Sequence, residues 1–182
     1  SSGQYNSLGS ENLFLGIESG NSNLGEKNLS LGFHAGKNSD IGNNNTVLGN
    51  NAGEFMREAE NNTLIGQNAG KYIGSTGNTL IGKDSGVNVI DSSNNIILGE
   101  SSGTNISGDC NIVIGNTSGG NSASSTYKNN LILGNNSKLT NTNGDNNVIL
   151  GNGIDNEMDN SLVFGNRKLT QIRDINFTIH NS

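Results

Sequence analysis

Three acidic residues, Glu54, Glu58 and Glu60, fall within one short connection beside Phe55, Met56 and Arg57. Paired carboxylates are the groups that cleave glycosidic bonds, and an exposed Phe55-Met56 pair beside them could contact a ligand. The segment is the most distinctive insertion in the chain. Together with Tyr127 it supplies the candidate contact residues Glu54, Phe55, Met56, Arg57, Glu58 and Tyr127. The blander reading is a solvated loop with Met56 or Phe55 turned inward as an anchor. Asp155, Glu157 and Asp159 alternate as calcium ligands do, but the glycine of the sharp turn and the terminal bidentate glutamate are not at calcium-loop spacing. His34 and His180 share no motif with a nucleophile, and Cys110 is the only cysteine. We read no catalytic constellation, no metal site and no cofactor motif, and expect a protein that is not an enzyme.

The bulk composition is polar. Hydrophobic residues make up 30% of the 182 residues and aromatics 4%, with 27 Gly, no Pro and no Trp, and roughly one residue in five is Asn. Such a composition can mean disorder. Here, however, the apolar residues recur at fixed positions, which disorder does not impose, so the chain is ordered around a thin core. The net charge of −6 argues against nucleic acid, whose phosphates need a basic footprint. No apolar run is long enough for a membrane helix, so no membrane insertion is expected. The opening Ser-Ser-Gly and the close at Ser182 read as a segment of something longer.

What positions these residues is a repeat. An Asn-x-x-(apolar)-Gly-x-x-(Ser/Ala)-Gly unit recurs every 16 or 17 residues, at 12–20, 28–36, 45–53, 62–70, 78–86, 95–103 and 111–119. Shortened copies follow at 130–134, 147–151 and 161–165. A fixed period of this size marks a stacked, quasi-one-dimensional architecture. Asn45, Gly49, Gly53, Asn62, Gly66, Gly70, Asn78, Gly82 and Gly86 define it in its most regular stretch.

The three residues before each main glycine, as in Thr46-Val47-Leu48 or Ile96-Ile97-Leu98, are short β-branched and Leu runs bounded by Asn and Gly. They are strands. On a strand the first and third residues share one face and the middle residue takes the other; both faces are apolar, so both call for burial. One fills the coil, and the other meets a second copy of the chain. Two glycines four apart suit a tight corner. A second strand follows, anchored by Leu24, Ile41, Ile73, Ile90 and Ile106, three of them followed by Gly25, Gly42 and Gly74. The repeat-start Asn residues should stack in a ladder, hydrogen-bonding turn backbone and tolerating left-handed conformations. The expectation is an all-β parallel β-roll or β-solenoid of 16–17-residue coils, about ten in number over 1–165. Residues 166–182 form a cap or a transition to a further domain.

The unit Asn62-Thr63-Leu64-Ile65-Gly66 resembles the head repeat of trimeric autotransporter adhesins. The longer Asn62-Thr63-Leu64-Ile65-Gly66-Gln67-Asn68-Ala69-Gly70 is closer to repeats in bacteriophage tail fibres. The stretch Ser161-Leu162-Val163-Phe164-Gly165-Asn166, followed by Leu169-Thr170-Gln171-Ile172, is similar to segments upstream of a self-cleaving intramolecular chaperone. The resemblance covers roughly residues 5–172. It implies a left-handed roll wound as a homotrimer, intertwined or side by side. Two departures stand out: the repeat is longer than the adhesins' own, and no chaperone domain lies within the 182 residues.

What the resemblance implies is a structural and adhesive fibre segment in a virion or at a cell surface. It would be the shaft or receptor-binding head of a phage tail fibre, or the head of a bacterial adhesin. Its partners would be further copies of itself and a host glycan or protein receptor. The candidate contact regions are 54–61, 87–94 and 120–129, chosen because they vary most from coil to coil. A purely structural spacer and an ice-binding solenoid are the rivals. For ice, Thr46, Thr63 and Thr79 align over only three coils, on a face we take as core.

Overall fold

A computed structural model of the chain describes residues 1–6, 8–39, 42–120, 126–140 and 144–165. The strands run in order β1 (Leu13–Leu15), β2 (Leu29–Leu31), β3 (Asn38–Ser39), β4 (Thr46–Leu48) and β5 (Phe55–Met56). They continue as β6 (Thr63–Ile65), β7 (Tyr72–Gly74), β8 (Thr79–Ile81), β9 (Asn88–Ile90) and β10 (Ile96–Leu98). The series closes with β11 (Ile112–Ile114), β12 (Leu131–Leu133), β13 (Lys138–Leu139), β14 (Val148–Leu150), β15 (Asp155–Asn156) and β16 (Leu162–Phe164). No helix occurs among the described residues.

The chain is a parallel β-solenoid. One strand from each coil joins a ten-stranded sheet, β1-β2-β4-β6-β8-β10-β11-β12-β14-β16. The opposite wall carries a four-stranded sheet, β3-β5-β7-β9, and the pair β13-β15. All pairings are parallel and in register, so that Thr46, Thr63 and Thr79 face one another, as do Val47, Leu64 and Leu80. With about 4.8 Å between strands, the ten-stranded sheet extends roughly 43 Å along the axis.

The core is one side chain deep from each wall. The middle residues of the main strands, Val47, Leu64, Leu80, Ile97, Val113, Ile132 and Ile149, are buried against Met56, Ile73, Val89, Ile106, Leu139 and Ile154 from the other side. Ala35, Ala52, Ala69, Ser85, Ser102 and Ser118 fill the narrow corner after the main glycine. A lumen this slim admits one residue per strand. The flanking first and third residues, including Thr46, Thr63 and Thr79, therefore point outward and are half-buried or exposed. This corrects the assignment of the threonine face to the core.

The second-wall anchors are corrected in the same way. Ile73 and Ile106 are buried, but Ile90 is 53% exposed, and its neighbour Val89, paired in register with Ile73, faces inward. Leu24 is half-buried and outside any strand, and Ile41 lies outside the described residues, as does the expected cap at 166–182.

Each coil closes at a buried Asn. Asn62 Nδ2 donates to Asn45 Oδ1 at 3.1 Å and to the Ser75 carbonyl at 2.9 Å. Its Oδ1 accepts from the backbone N–H of Asn78 at 2.9 Å and from Asn78 Nδ2 at 3.3 Å. The same pattern recurs through Asn28, Asn45, Asn95, Asn111, Asn130 and Asn147, and Ser161 terminates it on Asn147. The left-handed residue is the one before each ladder Asn, such as Asn44, Asn61 and Asn94, and not the ladder residue itself. A carboxamide that must reach the next coil has no freedom to stabilise its own turn, so that task moves one position upstream.

Gly66 meets a steric demand as well as a conformational one. Its φ of 133° is closed to other residues, and a Cβ there would meet the carbonyl carbon of Gly82 at 2.6 Å. Asn62→Ala should lower stability by about 3 kcal/mol, since it strands a buried N–H and a buried carbonyl. Asn61→Gly, at a left-handed and exposed site, should change stability by only a few tenths. Thermal melts of the two variants check the contrast.

Candidate functional site

The outward side of the four-stranded wall carries the expected contact segment. Inward, Met56, Ile73 and Val89 lock β5, β7 and β9 onto the core. Alternation then turns Phe55 and Tyr72 outward as register partners, exposed at 36% and 41%. Their rings stack with centroids 5.1 Å apart and planes within 5° of parallel. The Lys71 ammonium lies 5.6 Å from the centre of the Tyr72 ring. On the other side of the buried row come Arg57, Gly74 and Ile90, and beyond them Glu58, Thr76, Asp91 and Ser93. Together these residues line an open groove of about 810 Å3.

The six expected contact residues therefore divide. Phe55, Arg57 and Glu58 line the groove. Met56 is a core residue at 2% exposure and Tyr127 is another at 3%, its hydroxyl donating to the Leu139 carbonyl at 3.3 Å. Neither offers a side chain to a ligand: Met56 sits in register with Ile73, and Tyr127 follows the Ser107–Thr126 bridge, at the level where the preceding coil has Gly108; this corrects both assignments. Glu54 is drawn into ion pairs, with Lys71 at 3.2 Å and with His34 at 3.5 Å. The segment 87–94 adds Ile90, Asp91 and Ser93 to the groove, and in 120–129 residues 121–125 lie outside the described residues. What sequence reading missed is Tyr72 and Gly74; Ile90 fell within 87–94 but was assigned as an inward anchor. The signal available was that Phe55 and Tyr72 stand 17 residues apart, one period.

The acidic cluster does not act as a unit. Glu54 binds Lys71 and His34, Glu60 accepts from Asn43 Nδ2 at 3.0 Å, and Glu58 stands at the groove. His34 instead joins a cross-coil charge ladder. Its Nε2 lies 3.1 Å from Glu18 Oε2, and Lys37 Nζ lies 2.6 Å from the same oxygen. Phe33 stacks on the imidazole at 3.7 Å. The Lys37 ammonium, hydrogen-bonded to Glu18, holds that carboxyl below its ordinary value. Asp155 pairs with Lys138 at 3.7 Å across one coil, and among the described residues no three His, Cys, Asp or Glu side chains converge as metal ligands would. His180 lies outside the described residues.

Asn45, Asn62 and Asn78 sit in the buried ladder, Gly49, Gly66 and Gly82 in the main corner, and Gly53, Gly70 and Gly86 in the second, all as structural elements. The fold and its surface define the class of the protein, a parallel β-solenoid with one apolar and one mixed outer wall. No protein-family model matches the chain, and no curated protein or solved structure matches it either.

Because the Glu18 carboxyl is depressed by Lys37, whatever the pair contributes is present above the ordinary carboxylate range and fades as pH falls through the folded value. Lys37→Met should move the Glu18 titration midpoint upward. Side-chain carboxyl NMR across an acid titration reads that shift directly.

Proposed function

We propose that the chain is a segment of a homotrimeric adhesive fibre, the shaft or receptor-binding head of a bacteriophage tail fibre. The observation that carries this reading is the outer face of the ten-stranded sheet. Its two outward rows are Leu, Ile, Val or Phe at every position except Thr46, Thr63 and Thr79, and no charge interrupts them from Leu13 to Phe164. Leu13, Leu15, Ile81, Ile96, Ile112, Ile114, Leu162 and Phe164 are each exposed by more than a third. Monomeric proteins seldom leave apolar patches beyond roughly 300–600 Å2 uncovered, and a stripe about 43 Å long with two outward apolar residues on seven of its ten strands and one on the other three exceeds that.

A second copy is the natural occupant. The stripe repeats with the coil and offers the same spacing to an identical stripe. Three such faces around one axis enclose a dry core, which is the arrangement that the repeat's resemblance to fibre proteins implies. The apolar row also weighs against ice binding, since three threonines among aliphatics do not make a regular hydroxyl array. The remaining surface is acidic and Asn-rich, suited to a hydrated fibre exterior.

Light scattering coupled to size exclusion tests the reading. The expected mass is three chains of 18.9 kDa each. Ile65→Glu, which places a charge in the middle of the stripe, should shift the population to single chains at micromolar concentration, whereas Glu157→Gln should not. A wild-type chain that runs as a stable monomer overturns the trimer.

A further inference from the structure

The mixed outer wall carries a feature that fibre assembly does not use. Gly25 and Gly42 are glycines for packing reasons, because a Cβ on either would strike the backbone of the next coil. Gly74, which shares their place after an aliphatic residue in sequence, is different. A Cβ there would meet only the Arg57 carbonyl at 3.6 Å and Ile90 Cγ2 at 4.0 Å, ordinary contacts, and its φ is unremarkable. Neither strain nor crowding calls for glycine at this site. The missing side chain leaves a notch between Arg57 and Ile90, beside the Phe55–Tyr72 stack.

The rim of the notch is chemically poised. Arg57, Glu58 and Asp91 make no side-chain hydrogen bond or ion pair among the described residues, unlike Glu54 and Lys71 a few residues away. The groove thus joins a guanidinium fork, two free carboxylates, the nearby hydroxyls of Thr76 and Ser93, and a partly exposed pair of stacked rings. Its volume of about 810 Å3 falls within the roughly 300–1,000 Å3 typical of small-ligand sites.

The geometry points to this groove as a binding site for a pyranose ring of a surface glycan. Resting on the adhesive reading for its biological setting, the inference supplies the ligand class. A pyranose has one face of C–H bonds, which seats on the negative face of an aromatic ring. Around its edge are hydroxyls that both donate and accept, matching carboxylate acceptors and the Arg57 donors. A phosphate would meet two carboxylates for one guanidinium. A peptide strand would need a free sheet edge, and β7, at the centre of the groove, is paired with β5 and β9 on both sides.

The test uses the whole chain on a printed array of bacterial and mammalian glycans. Wild type should bind at least one pyranose glycan. Gly74→Ile fills the notch with a residue that suits a strand, and should reduce that binding at least tenfold with unchanged circular dichroism. Tyr72→Ala, which removes one ring of the stack, should do the same, and Glu157→Gln should bind as wild type does. Failure of wild type to bind any glycan overturns the inference, as does undiminished binding by Gly74→Ile. Capture of a peptide from a display library in place of a glycan overturns it too. A trimeric mass with a blank array removes the glycan site alone, whereas a glycan-binding monomer removes the trimer alone.

Discussion

Each coil must hand its closing hydrogen bonds to the next, and the buried Asn carboxamide is the group that does so. One side chain supplies donors to the preceding Asn and to a corner carbonyl, and an acceptor to the following backbone N–H. No apolar residue could satisfy these buried polar groups, and a carboxylate would lack the donors. Because the bond reaches a residue one coil away, it sets the period as well as closing the turn. An insertion has to be accommodated where the ladder does not look, as in the longer interval between Asn111 and Asn130, still bridged at 2.9 Å. Register, coil size and the alignment of every other residue follow from it.

With the ladder in place, the lumen has little room. Glycine corners bring successive coils to van der Waals limits, and an Ala or Ser beside them leaves space for a single aliphatic row from each wall. Where the row falters, the effect is local. Ser30, the register partner of Phe14, and Ser39 are both buried, and neither hydroxyl finds a protein partner. The Phe14 ring lies beside Gly3 and Gly20, where an added Cβ would strike it. A thin core also explains why half the aliphatic residues of the repeat cannot be inside.

The two outer walls consequently differ in kind. The ten-stranded wall repeats outward apolar residues on every strand, broken in one row only by Thr46, Thr63 and Thr79, which suits burial against further copies. The opposite wall varies from coil to coil, with charge ladders through Glu18, Lys37, His34, Glu54 and Lys71 giving way to the aromatic groove. Uniformity suits assembly, and variation suits recognition. A solenoid can carry both because neighbouring residues on a strand face opposite ways, so one wall's exterior is free to change without disturbing the interior.

The repeat was legible in the sequence because Asn, the aliphatic triplet and paired glycines are demanded coil after coil. That demand determined the all-β class, the period, the parallel stacking and the strand positions. It did not determine which face of the triplet is inside, since both faces are apolar and alternation alone is symmetric; only the closed coil, with space for one side chain per wall, decided for the middle residue. The same holds for the site. Phe55 could be singled out as an unusual aromatic, but its pairing with Tyr72, the openness left by Gly74, the outward turn of Ile90, and the burial of Met56 and Tyr127 depend on register between coils. Contacts within a strand are written in adjacent residues, whereas contacts between coils are fixed by the ladder that stacks them.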